Sequence, residues 1–466
     1  MPGVSMAISS PMCRSPMVQD NTKPREEDQL DSPSLMLNMQ PEESFNIQSG
    51  RSERVIIVGA GPSGMATAAC LRMKGIPYII IERAGCIASL WKERTYDRLK
   101  MHLSKESCRL PFKPFPDSYP TFVSRQQFID YLEEYASEFG IQPRFNETVQ
   151  SASFDEASQT WCVQTIVVGP FAEGPRRKLT HMARWLVIAT GENAEMIVPE
   201  LPGLNEFRGG YIHSSQYRNG DFYGGKKVLV VGCGNSGMEI ALDLANCGAD
   251  ASIVVRSPVH ILTREIFGMS TFSVAMRLMK SLPMWLVDYM LVSYSRLALG
   301  DTAVCGIERP KVGPLELKCK MGKTPVLNVG TFERIQAGDI KVRPAVERLT
   351  ETGARFVDGT LEDYDAVIFA TGYKSTVLRW LKDKENFFGV DSLPRDRACG
   401  QSWKGRRGLY VAGMCNKGIL GGSTDAERIA NDVHCIMTAK TASIATFATP
   451  PCGLTPPYSS STSLTA

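Results

Sequence analysis

The chain has 466 residues, of which 43% are hydrophobic and 22% are charged, and this composition is typical of a globular protein of two or three domains. Its net charge of +3 is small and its basic residues are dispersed, which argues against binding to a nucleic-acid backbone. Thirteen cysteines without a C-x-x-C pair and five scattered histidines argue against a disulfide framework and against a bound metal, and they indicate reduced thiols in the cytoplasm.

The two ends of the chain differ in composition from the rest. Proline, serine, methionine and charges of both signs are common in residues 1–50, where no apolar run is long enough for a signal peptide. We expect 1–50 to be a disordered extension. We also expect a flexible tail over 446–466, where four prolines precede a run of serine and threonine.

The first motif with chemical meaning follows a buried strand over residues 55–58. It has the pattern G-x-G-x-x-G and comprises Gly59, Ala60, Gly61, Pro62, Ser63 and Gly64. A helix-like stretch comes next, and the following apolar strand, 78–81, ends at Glu82. Such glycines allow a tight turn and a close approach of the backbone to a pyrophosphate, and the acid binds ribose hydroxyls. The pattern favours the adenosine half of FAD.

The same plan recurs after a second apolar strand, 228–231. This second fingerprint comprises Gly232, Cys233, Gly234, Asn235, Ser236 and Gly237. At the end of its next strand, the expected acid is replaced by Arg256. A guanidinium suits a 2′-phosphate, so we expect NADPH at this site. The alternative interpretation of Arg256 is an exposed arginine at a strand end.

Strands that end in Ala-Thr-Gly also occur twice, with Thr190-Gly191 in one and Thr371-Gly372 in the other. We interpret each as the last strand of a dinucleotide unit. The expected fold class is α/β, with two Rossmann-like domains and the NADPH domain inserted in the FAD domain. The boundaries are, in chain order, 51–194 (FAD domain, first part), 195–372 (NADPH domain), 373–445 (FAD domain, return segment).

The return segment is expected to hold a strand over 408–413 and a helix over 425–433. Asp425 would then lie near the start of that helix. From there its carboxylate could cap the helix N-terminus or approach the ribityl chain of the flavin, and the sequence leaves both interpretations open.

An apolar helical insertion is expected over 265–300. Charged residues interrupt it, so none of its uncharged apolar stretches is long enough to span a membrane. Pro283 should divide it into two helices. One interpretation is a helical hairpin that covers the mouth of the active site. The other is a surface patch that contacts a membrane or another subunit.

The chemistry that remains is redox chemistry of the cofactors. No cysteine pair accompanies Cys86, so dithiol exchange is disfavoured, and hydride transfer from NADPH to FAD followed by reaction with dioxygen is expected. Residues 207–217 (FRGGYIHSSQY) match F-x-G-x-x-x-H-x-x-x-[YF], the signature of class B flavin monooxygenases. Within it, His213 and Tyr217 either pack the hinge between the domains or touch a cofactor.

Three further segments narrow the resemblance: residues 90–103 (LWKERTYDRLKMHL), 309–318 (RPKVGPLELK) and 322–327 (GKTPVL). With them the chain resembles the YUCCA family of plant flavin monooxygenases over about residues 51–436. The resemblance implies FAD, NADPH and dioxygen, a flavin C4a-(hydro)peroxide, and oxidative decarboxylation of the 2-oxo acid indole-3-pyruvate to indole-3-acetate in auxin biosynthesis. It also implies flavin contacts for Arg83, Leu90 and Trp91, and a cytoplasmic location or, alternatively, peripheral attachment to the endoplasmic reticulum.

The chain departs from the family pattern at Ser104, at 106–108 and at 414–416, which puts substrate preference in doubt. His102 takes the place where related heteroatom-oxidising enzymes carry an asparagine. Cations that could bind a substrate carboxylate are Lys105, Arg109 and Arg125, and an aromatic slot for an indole ring could use Phe112, Phe115, Tyr119 and Phe122.

Two rival functions stay open at this point. One is a monooxygenase that oxidises nitrogen or sulfur atoms, and the other is a non-catalytic regulator that binds FAD and NADP(H). The sequence does not fix the oligomeric state.

Overall fold

The computed structural model describes residues 54–168, 177–382, 387–395, 402–415 and 417–447, with side chains to 439. The extension expected over 1–50 lies outside the described residues, as does the tail expected over 446–466 apart from the end of the last helix. The strands are β1 (Val55–Val58), β2 (Tyr78–Ile81), β3 (Glu147–Asp155), β4 (Thr160–Val167), β5 (Arg177–Ala183), β6 (Trp185–Ile188), β7 (Glu195–Met196), β8 (Gly210–His213), β9 (Lys227–Val231), β10 (Asp250–Val254), β11 (Ile261–Thr263), β12 (Glu265–Ile266), β13 (Met269–Ser270), β14 (Val326–Asn328), β15 (Ile340–Arg343), β16 (Val346–Leu349), β17 (Gly353–Phe356), β18 (Leu361–Asp363), β19 (Ala366–Phe369), β20 (Tyr373–Lys374) and β21 (Leu409–Val411).

Eleven α-helices and two short 3₁₀ turns, Asp221–Tyr223 and Thr302–Cys305, join these strands in the described part of the chain. The helices are α1 (Pro62–Met73), α2 (Ser89–Glu93), α3 (Lys105–Cys108), α4 (Arg125–Glu138), α5 (Asn235–Asn246), α6 (Thr271–Leu278), α7 (Met284–Leu299), α8 (Pro314–Met321), α9 (Thr331–Gln336), α10 (Val377–Trp380) and α11 (Gly418–Phe447).

The first Rossmann-like sheet has the order β2-β1-β6-β21, and all its strands are parallel. Every residue of β1 and β6 is buried, which explains why these strands are continuous apolar runs without alternation. The strand at the far edge, β21, comes from the return segment, more than 200 residues after β6 in sequence. The sheet is therefore complete only when the chain returns from the second unit.

The second Rossmann-like sheet has the order β15-β10-β9-β19-β8, again parallel. Its central strand β9 lies between β10 and β19, as β1 lies between β2 and β6 in the first sheet. Each unit also carries a three-stranded antiparallel sheet, β3-β4-β5 in the first and β16-β17-β18 in the second. The structure thus has the expected α/β fold class, with the second unit inserted in the first.

The helical insertion is divided at Pro283, as the sequence predicts. Pro283 precedes the first residue of α7, where its missing N–H costs no hydrogen bond. One face of α7 is buried and includes Val287 and Leu291. The other face exposes Trp285, at 68% of its surface, and Leu297, at 85%. The insertion therefore presents apolar side chains to solvent.

Candidate active site

The two glycine turns have the same backbone geometry. The first glycine of each, Gly59 and Gly232, has a φ of 107° and 120°. A Cβ on the last glycine would lie 1.9 Å from the carbonyl oxygen of the first, both for Gly64 against Gly59 and for Gly237 against Gly232. Only glycine permits these approaches. They bring the first turn of α1 and of α5 directly against the end of its strand.

The middle glycines face open space instead. A Cβ on Gly61 or Gly234 would meet no heavy atom within 4 Å among the described residues. Each of these glycines is the N-cap of its helix, and neither helix has a side-chain cap. Free N–H groups at a helix N-terminus, with room beside them, form a site for a phosphate group. Both turns therefore fit a pyrophosphate.

A cleft of about 630 Å³ joins the first turn to the second unit. The expected flavin-contacting residues that line it are Gly59, Gly61, Pro62, Ser63, Glu82, Arg83, Leu90, Trp91, Thr190 and Gly191. The second unit contributes Asn235 and Thr324, and a further cavity of about 820 Å³ adjoins the cleft at Arg83 and Arg94. The first fingerprint and the start of α5 thus face one space.

Glu82 fixes the first turn. Its carboxylate oxygens accept hydrogen bonds from the backbone N–H of Ala60 at 2.7 Å and of Ala84 at 2.9 Å. Nearby, the hydroxyl Oγ1 of Thr190 is buried and has no hydrogen-bond partner among the described residues. Because a buried hydroxyl normally finds a partner, this orphaned group fits a bound ligand such as FAD.

The second turn is tied to the strand β14. The side-chain Oδ1 of Asn235 accepts from the N–H of Leu327 at 2.8 Å, and its Nδ2 donates to the carbonyl of Pro325 at 3.4 Å. Arg256 follows β10, is exposed, and makes no hydrogen bond or ion pair with any described residue. Burial raises the pKa of the Cys233 thiol to about 12, so this thiol is not a nucleophile at neutral pH.

His102 connects the two units. Its Nε2 lies 2.7 Å from Oε1 of Glu239, and His102 also lines the cleft. Glu239 is on α5, two residues after the second fingerprint, and only 6% of its side chain is exposed. Sequence reasoning did not find Glu239. The signal available to it was a charged residue on the buried face of a nucleotide-binding helix.

His213 and Tyr217 pack the hinge between the units. The two nitrogens of His213 contact the carbonyl of Gly372 at 3.1 Å and the hydroxyl of Ser215 at 3.0 Å. Tyr217 donates to Asp243 at 2.7 Å. Burial lowers the pKa of His213, so its imidazole is neutral at pH 7. These contacts favour the packing role among the two interpretations left open by the sequence.

Comparison with known proteins decides the family. The flavin-binding monooxygenase-like family matches residues 52–383. The probable indole-3-pyruvate monooxygenase YUCCA9 of Arabidopsis thaliana is 52% identical over 379 residues, which cover 81% of this chain and 88% of that protein. The indole-3-pyruvate monooxygenase YUCCA4 of Oryza sativa subsp. japonica is also 52% identical, over 81% of this chain and 86% of that protein. This chain belongs to the YUCCA family of flavin-binding monooxygenases.

Solved structures agree at the level of the fold. A flavin-containing monooxygenase from Stenotrophomonas maltophilia superposes with a TM-score of 0.61 at 19% identity, over 82% of this chain and 98% of that one. A complex of OTEMO with FAD and NADP gives a TM-score of 0.61 at 17% identity, over 84% and 86%. These superpositions confirm the predicted two-unit α/β fold. The family match and the relatives at 52% identity confirm the prediction of a flavin-dependent monooxygenase.

In this YUCCA-family chain, the ammonium of Lys105, which was expected to bind a substrate carboxylate, is bonded to backbone carbonyls. Its ammonium donates to the carbonyls of Pro116, Asp117 and Tyr119 at 3.2, 3.1 and 2.8 Å. These bonds use all three ammonium protons, which corrects the expectation. Arg125 likewise donates to Thr95 and to backbone carbonyls, and Arg109 is exposed outside the cleft lining.

The expected aromatic slot is not part of the cleft. Phe115 stacks on Tyr131 of α4, with ring centroids 4.0 Å apart, and belongs to the core of the first unit. The guanidinium of Arg264 covers Phe122 at 3.8 Å from the ring centroid. Phe112 is exposed, and Tyr119 packs beside Phe115. None of these four rings is among the residues that line the flavin cleft.

Asp425 lies within a helix, which corrects the expected helix start. The helix α11 begins at Gly418, seven residues before Asp425. The Asp425 carboxylate accepts from the N–H of Gly413 at 3.1 Å, just after β21, and burial raises its pKa. It therefore ties α11 to the last strand of the sheet and does not cap the helix.

The departures from the family pattern lie at α3, which contains residues 106–108, and just after β21. Ser104 is buried, and its hydroxyl lies 3.4 Å from that of Ser273 on α6, so it joins the first unit to the helical insertion. Met414 and Cys415 are buried beside β21, whereas Asn416 lies outside the described residues.

Among the described residues, no group of three His, Cys, Asp or Glu residues is placed to hold a metal ion. None of the helices in this part of the chain is both long and apolar enough to cross a bilayer.

Proposed function

We propose that this enzyme binds FAD at the first glycine turn and NADPH at the second, and that it uses dioxygen to convert indole-3-pyruvate into indole-3-acetate and carbon dioxide. The observation that carries the proposal is the pair of matching phosphate cradles, of which the first lines the cleft and the second reaches it at Asn235. The substrate assignment is supported by the identity of about half of all aligned residues with enzymes named for indole-3-pyruvate.

The residues of the chain bind and orient the cofactors and the substrate, and the cofactors carry out the redox reaction. When bound, the nicotinamide supplies hydride to the flavin, and the reduced flavin supplies electrons for dioxygen. Glu82 holds the first turn through the N–H of Ala60 and Ala84. Thr190 offers its free hydroxyl to the flavin dinucleotide, and Arg256 offers its guanidinium to the 2′-phosphate of NADPH.

His102 is assigned a positioning role toward the two cofactors. It lines the cleft and is hydrogen-bonded to Glu239. Glu239 lies on α5, the helix proposed to bind the NADPH pyrophosphate. The pair fixes the distance between that helix and the flavin cleft. Direct hydride transfer depends on such a fixed distance, because reacting atoms must approach within about 3–3.5 Å.

The proposed reaction is tested with purified holoenzyme, NADPH and air. We expect one indole-3-acetate and one carbon dioxide for each NADPH consumed with indole-3-pyruvate, and no oxidation of a thioether such as methyl phenyl sulfide. Thioether oxidation without turnover of the 2-oxo acid would replace the proposal by heteroatom oxidation. Cofactor binding without oxygen consumption would replace it by a regulatory role.

We further propose a cytoplasmic location with peripheral membrane contact through the exposed face of α7. The cysteines of the described residues are free thiols, which supports a reducing compartment. Trp285, Tyr289 and Leu297 are exposed on α7, and Arg296 is exposed beside them. Flotation with anionic vesicles tests the contact: Trp285→Ser with Leu297→Ser should reduce binding without changing flavin content, and equal flotation of both proteins would refute it.

A further inference from the structure

A second cavity of this protein, of about 820 Å³, lies at the hinge between the two units, and we call it the hinge cavity. Its walls come from the first unit, from β7, from the loop after β8 and from α10, and they include Arg83, Arg94, Glu195, Ser215, Arg379 and Trp380. No described residue of either glycine turn lines it. A cavity of this size can hold a small molecule, and neither proposed phosphate site accounts for it.

Two arginines stand where the hinge cavity meets the flavin cleft, and both line the two spaces. The carbonyl oxygen of Ala194 accepts a hydrogen bond from Nη2 of Arg83 at 2.9 Å and from Nη1 of Arg94 at 3.3 Å. Neither arginine forms an ion pair with a described residue. Because a guanidinium carries five N–H donors, most donors of both side chains have no partner in the described part of the chain.

The other charges of the hinge cavity are already paired or bonded. Four arginines and two glutamates are among the described residues that line it, so positive charge is in excess. Arg379 donates to the carboxylate of Glu195 at 2.9 Å, and Arg218 donates to backbone carbonyls of the loop after β8 at 3.0 Å. The excess positive charge with free donors therefore lies on Arg83 and Arg94.

The hinge cavity opens at the adenosine end of the flavin cleft. Val149 lines both spaces, as does Arg83, which directly follows Glu82. An acid at the position of Glu82 lies beside the adenosine ribose of a bound dinucleotide. His102 and Asn235, which lie where the two units face each other, line the cleft but not the hinge cavity. A ligand of this cavity is therefore a molecule other than the substrate that reacts at the flavin.

We propose that Arg83 and Arg94 bind the oxyanion group, a carboxylate or a phosphate, of a small organic acid in the hinge cavity, with the apolar part of this acid against Trp380 and Met196. Desolvation, followed by the charge of Arg94, lowers the pKa of Arg83, since two guanidiniums share one neutral acceptor. An oxyanion between them relieves this repulsion, and the planar donor forks fit a carboxylate or a phosphate. The inference goes beyond the proposed function and does not depend on the substrate assignment.

The test compares three probes that share one ring: phenylacetate, phenyl phosphate and the uncharged phenylacetamide. Calorimetric titrations use the oxidised holoenzyme saturated with NADP⁺, so that the second glycine turn is occupied. Arg94→Met should weaken binding of the acids by about 10- to 100-fold and leave the amide within about twofold, because charge-assisted hydrogen bonds are lost. Arg94→Lys should restore part of the affinity, since it returns the charge without the fork. The control Arg109→Met removes an exposed arginine that lines neither space and should alter no constant.

The wild-type protein also shows which oxyanion the site prefers, because the two acids differ chiefly in that group. Four outcomes would overturn the inference: no binding of either acid to the wild type, unchanged constants for the acids in Arg94→Met, an equal loss for acids and amide, or the same loss in Arg109→Met. Flavin content and melting temperature show whether Arg94→Met is folded, and Arg94→Gln replaces it if it is not. An enzyme that converts indole-3-pyruvate but binds neither acid would refute this inference alone, so its failure is distinct from failure of the proposed function.

Discussion

At the scale of single residues, the two nucleotide turns separate two roles of glycine. Gly64 and Gly237 lie where any Cβ would strike a backbone carbonyl, whereas Gly61 and Gly234 lie beside open space. The fold requires glycine at Gly64 and Gly237, whereas glycine at Gly61 and Gly234 leaves room for the ligand. This distinction is visible only in three dimensions, since all four glycines occupy equally conspicuous positions in the sequence.

The first prediction follows from that contrast. Gly64→Ala should lower the free energy of unfolding of the apoprotein by about 1–3 kcal/mol, because the new methyl group overpacks the turn. Gly61→Ala should leave that stability within about 0.5 kcal/mol but abolish retention of FAD, because the methyl group occupies the phosphate site. Urea denaturation and the flavin content of the purified proteins measure the two effects. Full FAD retention by Gly61→Ala would contradict the assignment.

A second prediction concerns the buried Glu147, which also lines the cleft. Burial would raise its pKa, but hydrogen bonds from His181, Thr165 and Arg144 outweigh burial and hold the pKa at about 2. A carboxyl group with a lowered folded-state pKa stabilises the fold above its unfolded pKa of about 4.3. That stability should be lost as the pH falls from about 5 toward 2.

Glu147→Gln removes this titration. The wild-type protein should lose about 3 kcal/mol more stability than the variant between about pH 6 and pH 2, which is the value of a shift of this size. Denaturant titrations at several pH values measure the difference. Parallel pH profiles for the two proteins would show that Glu147 is not the responsible group.

At the scale of secondary-structure elements, the sequence predicted the features that depend only on residues close together in the chain. Strands β1, β2, β9 and β21 and the break at Pro283 follow from local runs of residue types. The start of α11 was missed because Gly418, Gly421 and Gly422 are typical of a loop. They are glycines for another reason: a Cβ on Gly422 would lie 2.3 Å from Oγ of Ser63, so the helix can lie against the first turn only without a side chain there.

Side-chain partners distant in sequence could not be predicted. Lys105 was a sound candidate by residue type, and only the folded loop brings three carbonyls to its ammonium. The pairing of His102 with Glu239 joins residues 137 positions apart. The Asp288 carboxylate of α7 likewise caps the start of α8 through residues 27 and 28 positions away in the sequence.

A prediction for α8 tests this coupling between helices. Asp288→Ala leaves the first N–H groups of α8 without an acceptor and should destabilise the helix locally by about 1–2 kcal/mol. Hydrogen exchange over 314–321 should accelerate about 5- to 30-fold, while exchange of α1 and the flavin content remain unchanged. Unchanged exchange in α8 would show that the helix is held by other contacts.

At the scale of the whole molecule, two units with the same topology must present two ligands to one cleft. The chain crosses between them near Thr190 and Thr371, and His213 and Tyr217 pack the crossing. The contact between His102 and Glu239 is a polar link between the units at the cleft itself. Its loss should therefore affect the transfer of electrons between the ligands more than the binding of either one.

The corresponding prediction uses a double-mutant cycle. His102→Ala and Glu239→Ala should each slow reduction of the flavin by NADPH by about 10-fold or more, because the two rings are no longer held at reacting distance. The double variant should be no slower than either single variant, because the residues act as a pair. Stopped-flow measurements give the rates, and the flavin content serves as the control. Additive losses would show that the two residues act independently.

The central claim is that hydride passes directly between two dinucleotides held in one cleft. The most direct measurement is anaerobic stopped-flow reduction of the purified yellow holoenzyme by NADPH and by NADPH deuterated at the transferred position. The account predicts complete bleaching of the flavin absorbance in a step that is slower with the deuterated cofactor. A protein that is colourless after reconstitution with FAD, or a bound flavin that NADPH does not bleach, would contradict it.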